Sequence, residues 1–138
     1  MTIHCPNLRK SSTANESAPG LWWLYESSRL SARVREILAD GSNTLLFSSA
    51  SVWELIIKIQ SGKLRIPEEP EAFIAGRLAL HAMDSLSVKM EHAVRLYTLP
   101  AYHKDPFDRI LVAQALSERV PIITADPQIA RYPVETIW

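Results

Sequence analysis

"AYHKDPFDRILVAQALSERVPIITAD", residues 101–126, carries a loop, a helix, a strand and two well-placed acids in one run. Asp105 stands directly before Pro106, and proline suits the first turn of a helix, where its missing N–H would lack a partner anyway. Asp105 is therefore read as an N-cap, with the helix starting near Pro106. Leu111, Val112 and Ala115 form a stripe that should pack on a sheet, and Asp108 stands at its head. A carboxylate there is costly to bury unless a helix N-terminus, a basic neighbour or a metal ion offsets it. "PIIT" (121–124) is short and apolar, as in a buried strand, and Asp126 follows it.

The same alternation runs outward from this stretch. Leu30, Val34, Ile37 and Leu38 fall at helical spacing, with Ser31 as a cap and Gly41 as a stop. "NTLLFSS" (43–49) reads as a buried strand. "SASVWELIIKIQSGKL" (49–64) places Val52, Leu55, Ile56 and Ile59 on one helix face, ending near Gly62. "EAFIAGRLALHAM" (71–83) predicts a helix, "DSLSV" (84–88) a weakly alternating strand and "KMEHAVRLYTL" (89–99) a helix ended by Pro100. "PQIARY" (127–132) gives one helical turn and "VETIW" (134–138) a last strand. Strands alternating with helices imply a parallel sheet covered on both faces, with ligands beyond the carboxyl ends of its strands.

Composition narrows the classes. The chain has 138 residues, one domain's worth, with 47% hydrophobic and 22% charged residues. Fifteen basic residues balance fifteen acidic ones, so global charge gives no general attraction to nucleic acid. A single cysteine, Cys5, excludes an internal disulfide and a Cys-based zinc site and suits a reducing compartment. With no signal-peptide core and no membrane span, a cytoplasmic location is expected. Residues 1–18 differ in composition: "SSTANESAPG" is loop-like, and this segment is expected to be disordered or irregular ahead of a domain at 19–138.

Candidate chemistry centres on acids. Glu54 lies off the apolar stripe of its helix, where the plain alternative is a solvated pair with Lys58. Asp108 could cap its helix or pair with Arg109 or Lys104, and Asp126 could cap the turn opened by Pro127. As a set, the three converge on one end of one sheet, and hard oxygen ligands suit Mg²⁺ or Mn²⁺. His103 with Lys104 could touch phosphate, although exposed loop positions are the ordinary reading. His81 and His92 are expected to face water. Trp22, Trp23, Trp53 and Trp138 are expected to anchor the core, and Lys58, Lys63, Arg65 and Arg77 to be scattered surface charge or a groove across a dimer. Four glycines supply no phosphate loop, and no nucleophilic triad is visible.

"SSASVWELIIKIQSGKLRIP", "LPAYHKDPFDRILVAQAL" and "ITADPQIARYPVETIW" together resemble successive blocks of PIN-domain ribonucleases, nearest to VapC-type toxins, over about residues 21–138. The resemblance implies a three-layer α/β/α domain with a parallel sheet and an acidic cluster binding Mg²⁺ or Mn²⁺. Glu54 matches the acid of the "WE" helix, Asp108 the second Asp of "DPFD" and Asp126 the Asp of "TAD", with Thr124 as a supporting hydroxyl. It further implies hydrolysis of RNA phosphodiesters to 5′-phosphate and 3′-hydroxyl ends, a homodimer and inhibition by a small antitoxin.

The front end departs from the family's pattern. "LWWLYESSRLS" (21–31) matches its first helix and turn, but an apolar strand ending in Asp-Thr-His should precede it. Ungapped counting puts Glu16, Ser17 and Ala18 in those places, so Glu16 is the candidate fourth ligand and the first, central strand is expected to be missing or degenerate. Three readings follow: a metal-dependent endoribonuclease toxin, a non-catalytic PIN-like remnant that binds antitoxin or RNA, and a small phosphatase-like or receiver domain. The last explains the "DPFDRILVAQAL" block least well.

Overall fold

The computed structural model describes residues 2–4 and 30–138. Glu16, Cys5, Trp22, Trp23 and the helix expected from Leu21 lie outside the described residues. Five parallel strands form one sheet in the order β3-β2-β1-β4-β5: β1 Thr2–His4, β2 Thr44–Ser48, β3 Met83–Leu86, β4 Ile122–Ile123 and β5 Thr136–Ile137. Among the described residues five helices accompany them: α1 Ala32–Ala39, α2 Ser49–Gln60, α3 Pro70–Leu80, α4 Met90–Arg95 and α5 Pro106–Glu118.

The central strand expected to be missing or degenerate is present, as Thr2–His4. Thr2, Ile3 and His4 pair with Thr44, Leu45 and Leu46, and His4 also pairs with Ile122. Composition misjudged this segment because its polar bulk lies after residue 4, while two β-branched residues suffice for so short a strand.

Both faces of the sheet are covered. Ile123 packs with Leu45, Phe47, Leu55, Phe73 and Ile137 in one core, whereas its neighbour Ile122 packs with Val112, Ala115, Ile129 and Tyr132 in the other. Consecutive strand residues point to opposite faces, so β4 alone anchors two layers of a three-layer α/β/α arrangement.

Helix ends follow the local chemistry. Ser31 accepts from the Val34 N–H at 3.1 Å and opens α1. Asp105 accepts from the Phe107 and Asp108 N–H groups at 2.8 and 3.3 Å and opens α5 at Pro106. Where "KMEHAVRLYTL" predicts one helix, α4 ends at Arg95 and a 3-10 turn, Leu96–Thr98, tightens the chain before Pro100. β3 begins at Met83, one residue early, and its buried residues Met83 and Leu86 do not alternate.

A buried polar strut ties α5 to the carboxyl end of β2. The Ser48 hydroxyl donates to Gln114 Oε1 at 2.6 Å and accepts from the Ala50 N–H, while Gln114 Nε2 donates to the Ser87 carbonyl at 3.3 Å. A second link joins α4 to α5. His92, expected to face water, is fully buried, its Nδ1 accepting from the Lys89 N–H at 3.0 Å and its Nε2 lying 3.0 Å from Glu118 Oε1. Both ring nitrogens are thus engaged. Lys89 Nζ completes the contact with Glu118 at 2.7 Å.

Two outcomes are expected. Gln114→Ala strands the buried Ser48 hydroxyl without its acceptor and lowers stability by about 1–3 kcal/mol in denaturant titration. The hydrogen bond from Lys89 holds the Glu118 carboxyl below the usual range, and the same bond raises Lys89. Glu118 thus contributes stability above the unfolded value of about 4.3, lost as pH falls through its lower folded value, and Lys89 contributes below about 10.4, lost as pH rises through its raised folded value. In Lys89→Met, thermal melts below about pH 4.3 fall less steeply with acidification than those of the wild type.

Candidate active site

The strand order turns between β1 and β4, with β2 and β3 on one side and β5 on the other. Such turning points open a crevice at the carboxyl ends of the strands. Asp126 follows β4 there, Asp108 sits in the first turn of α5, and both are buried. One oxygen of each carboxylate and a nitrogen of His103 lie within 4.8 Å of one another.

Each acid is held by its own element. Asp126 Oδ1 accepts from the Gln128 N–H at 2.8 Å, the turn-capping role open to a "TADP" aspartate, while Oδ2 lies 2.9 Å from His103 Nε2. The Asp126 N–H donates to Thr124 Oγ1 at 3.1 Å, so Thr124 braces the turn instead of reaching the carboxylate. Asp108 Oδ2 lies 3.3 Å from His103 Nε2. Capping of α5 is done by Asp105, leaving the Asp108 side chain to the cluster.

Arg109 is not the partner of Asp108. Its guanidinium donates to the carbonyls of Leu96, Leu99 and Pro100 at 2.8 to 3.3 Å and reaches the Tyr132 hydroxyl at 3.3 Å. Adjacent helical residues do not face each other, which sends Arg109 to the loop and Asp108 to the site.

Glu54 stands close by in the fold but outside the three-residue cluster. It is nearly buried, and its carboxylate meets Lys58 Nζ at 2.7 Å one helical turn on, so the pair anticipated from spacing forms. Its neighbour Trp53 packs edge-on to Phe107, the residue before Asp108, with ring centroids 5.1 Å apart. That contact brings α2 against the start of α5.

His103 is the residue that sequence reasoning placed wrongly. Instead of an exposed loop histidine it is 4% exposed, with Nδ1 accepting the Asp105 N–H at 3.1 Å and Nε2 between the two aspartates. The signal lay in "HKDP": a histidine two residues before an N-cap can receive that residue's N–H while the cap fixes the loop. Trp53 and Trp138 are also not core anchors, being 64% and 38% exposed. Of the basic residues, Lys58 is committed to Glu54, and Arg77 stacks over Phe73 at 5.2 Å.

Chemically, two carboxylate groups at hydrogen-bonding range of one imidazole form a compact donor set. Their mutual repulsion is relieved by a cation, and oxygen donors suit a hard divalent ion.

Comparisons with known proteins bear on the family and the fold. A family model described as the PIN domain matches residues 21–135. Ribonuclease VapC16 of Mycobacterium tuberculosis (strain ATCC 25618 / H37Rv) is 32% identical over 95 residues, covering 66% of this chain and 64% of that protein, slightly under two thirds of the relative's length. The crystal structure of VapBC2 from Rickettsia felis bound to a DNA fragment from their promoter matches with a TM-score of 0.68 at 14% identity. That match covers 99% of this chain and 98% of the other, a likeness of fold. The family model spans most of the sequence, including both aspartates of the site and the helix and strand that carry them: the chain belongs to the PIN-domain family.

Proposed function

We propose that the chain is a VapC-type toxin, a metal-dependent endoribonuclease that hydrolyses RNA phosphodiester bonds. The observation that carries this reading is the convergence of Asp108 and Asp126 at the carboxyl end of the sheet, within 4.8 Å of a common set of donor atoms. The relative named Ribonuclease VapC16 supports the same chemistry.

Asp108 and Asp126 would hold Mg²⁺ or Mn²⁺, with Glu54 on the adjoining helix and Thr124 as the brace of the Asp126 turn. Glu16 is the proposed further ligand on motif position alone. Such an ion, when bound, acidifies water and offsets charge on a phosphorane-like transition state. The protein's own contribution is to fix the acids in a buried crevice and to orient Asp126 through the Gln128 N–H.

A VapB-like antitoxin is the proposed partner, by analogy with the VapBC2 assembly. A homodimer is proposed through the face beside the site. There an apolar groove of about 440 Å³ is lined by Ala50, Trp53, Val88, Leu96, Phe107 and Ile110 among others. Met90, Val94 and Tyr97, on α4 and the turn after it, are also exposed apolar residues, with Tyr97 95% exposed. Large exposed apolar patches on a protein mark interaction surfaces. Among the described residues no helix is long and apolar enough to cross a membrane. A cytoplasmic location remains the proposal made from the sequence.

Purified protein incubated with structured RNA and Mn²⁺ is expected to cleave it. Asp108→Asn should reduce the rate by about 100-fold or more, the scale of losing one group that stabilises a transition state. No cleavage by the wild type at any metal concentration favours the non-catalytic reading, a domain that only binds antitoxin or RNA. In sedimentation velocity the wild type should run as a dimer and Trp53→Glu as a monomer; a monomeric wild type refutes the dimer.

A further inference from the structure

His103 is bonded at both ring nitrogens, and its two bonds have opposite sense. The Asp105 N–H can only donate, so Nδ1 must accept. With its lone pair on Nδ1 so used, the ring carries its hydrogen on Nε2 and donates it toward Asp126 Oδ2 at 2.9 Å, with Asp108 Oδ2 at 3.3 Å. That tautomer has no lone pair on Nε2 to offer a cation.

The loop carrying the ring is itself fastened. The His103 N–H donates to the Tyr132 hydroxyl at 2.9 Å, and that hydroxyl donates to the Pro100 carbonyl at 2.9 Å. Arg109 holds the same carbonyl at 2.8 Å and two others upstream. Tyr132 is buried in the core that Ile122 shares, so the loop's position is referred to the sheet.

We propose that His103 is a positioning residue for the acid pair: it donates its Nε2 hydrogen to Asp126, which it orients, and by standing beside Asp108 it keeps the two carboxylates at the spacing that receives a divalent cation, without becoming a ligand. The proposal rests on the metal-site reading for its purpose, but not for its geometry. Asp105 serves both ends of the arrangement, since its side chain caps α5 under Asp108 while its N–H selects the His103 tautomer.

The test has two arms. Nitrogen-15 spectra of the imidazole in the metal-free wild-type protein should give His103 the hydrogen on Nε2, and Mg²⁺ addition should leave it there. Hydrogen on Nδ1, or its loss from Nε2 as Mg²⁺ is added, overturns the proposal. In calorimetric Mn²⁺ titrations, His103→Ala should weaken binding by about 10-fold or more, as loss of an outer-shell partner does, and His103→Gln, whose amide can still donate, should recover most of it. Equal affinity in the wild type and His103→Ala overturns positioning, as does nitrogen coupling to bound Mn²⁺ in spin-echo spectra, which would make the ring a ligand. If the wild type binds no Mn²⁺, the metal-site reading fails, while the metal-free nitrogen spectra still decide the hydrogen-bond arrangement.

Discussion

The sheet depends on three residues. Thr2–His4 pairs with β2 on one side and β4 on the other, so it alone joins the β3-β2 ribbon to the β4-β5 ribbon. Parallel strands need both neighbours and both faces covered, and a pair of two-stranded ribbons would expose edges and split the two cores. The short reach of β4, two residues, makes that junction narrower still, with His4 against Ile122 its single register pair. The order turns at that junction, and the acids gather beside it, Asp126 just after β4 and Asp108 at the start of α5. Position in the sheet, more than any local signal, turns Asp108 and Asp126 into a site.

Much of this was legible because the relevant residues obey local rules. Ser31 and Asp105 announce their helices through short-range capping, and the Glu54–Lys58 spacing announces its ion pair. Ile122 and Ile123 read as a buried strand because both faces are covered. What escaped was non-local. His92 lies on a helix that looks amphipathic in isolation, yet Glu118 of α5 buries it. The burial of His103 needs Tyr132, 29 residues on, and Asp126 to be brought alongside. Trp53 reads as a core residue by type but sits exposed in an apolar groove, where its ring meets Phe107 across two helices. The first strand escaped for another reason: three residues carry no periodicity.

The distribution of cations inside the protein follows from helix geometry. Arg109 follows Asp108 directly, and that one-residue offset turns it away from the acid and onto the loop carbonyls at the end of the 3-10 turn. A planar guanidinium satisfies several carbonyls at once, which a lysine could not do in the same place. The nearest side-chain charge in sequence to the acid pair is therefore spent on scaffolding, and an uncharged imidazole N–H stands between the acids. Glu54 differs: at 2.7 Å from Lys58 it already has a cation on its own helix. A divalent ion held by Asp108 and Asp126 that also drew on Glu54 would compete with that ammonium, so in the proposed site the two aspartates would be the fixed core and Glu54 an exchangeable edge.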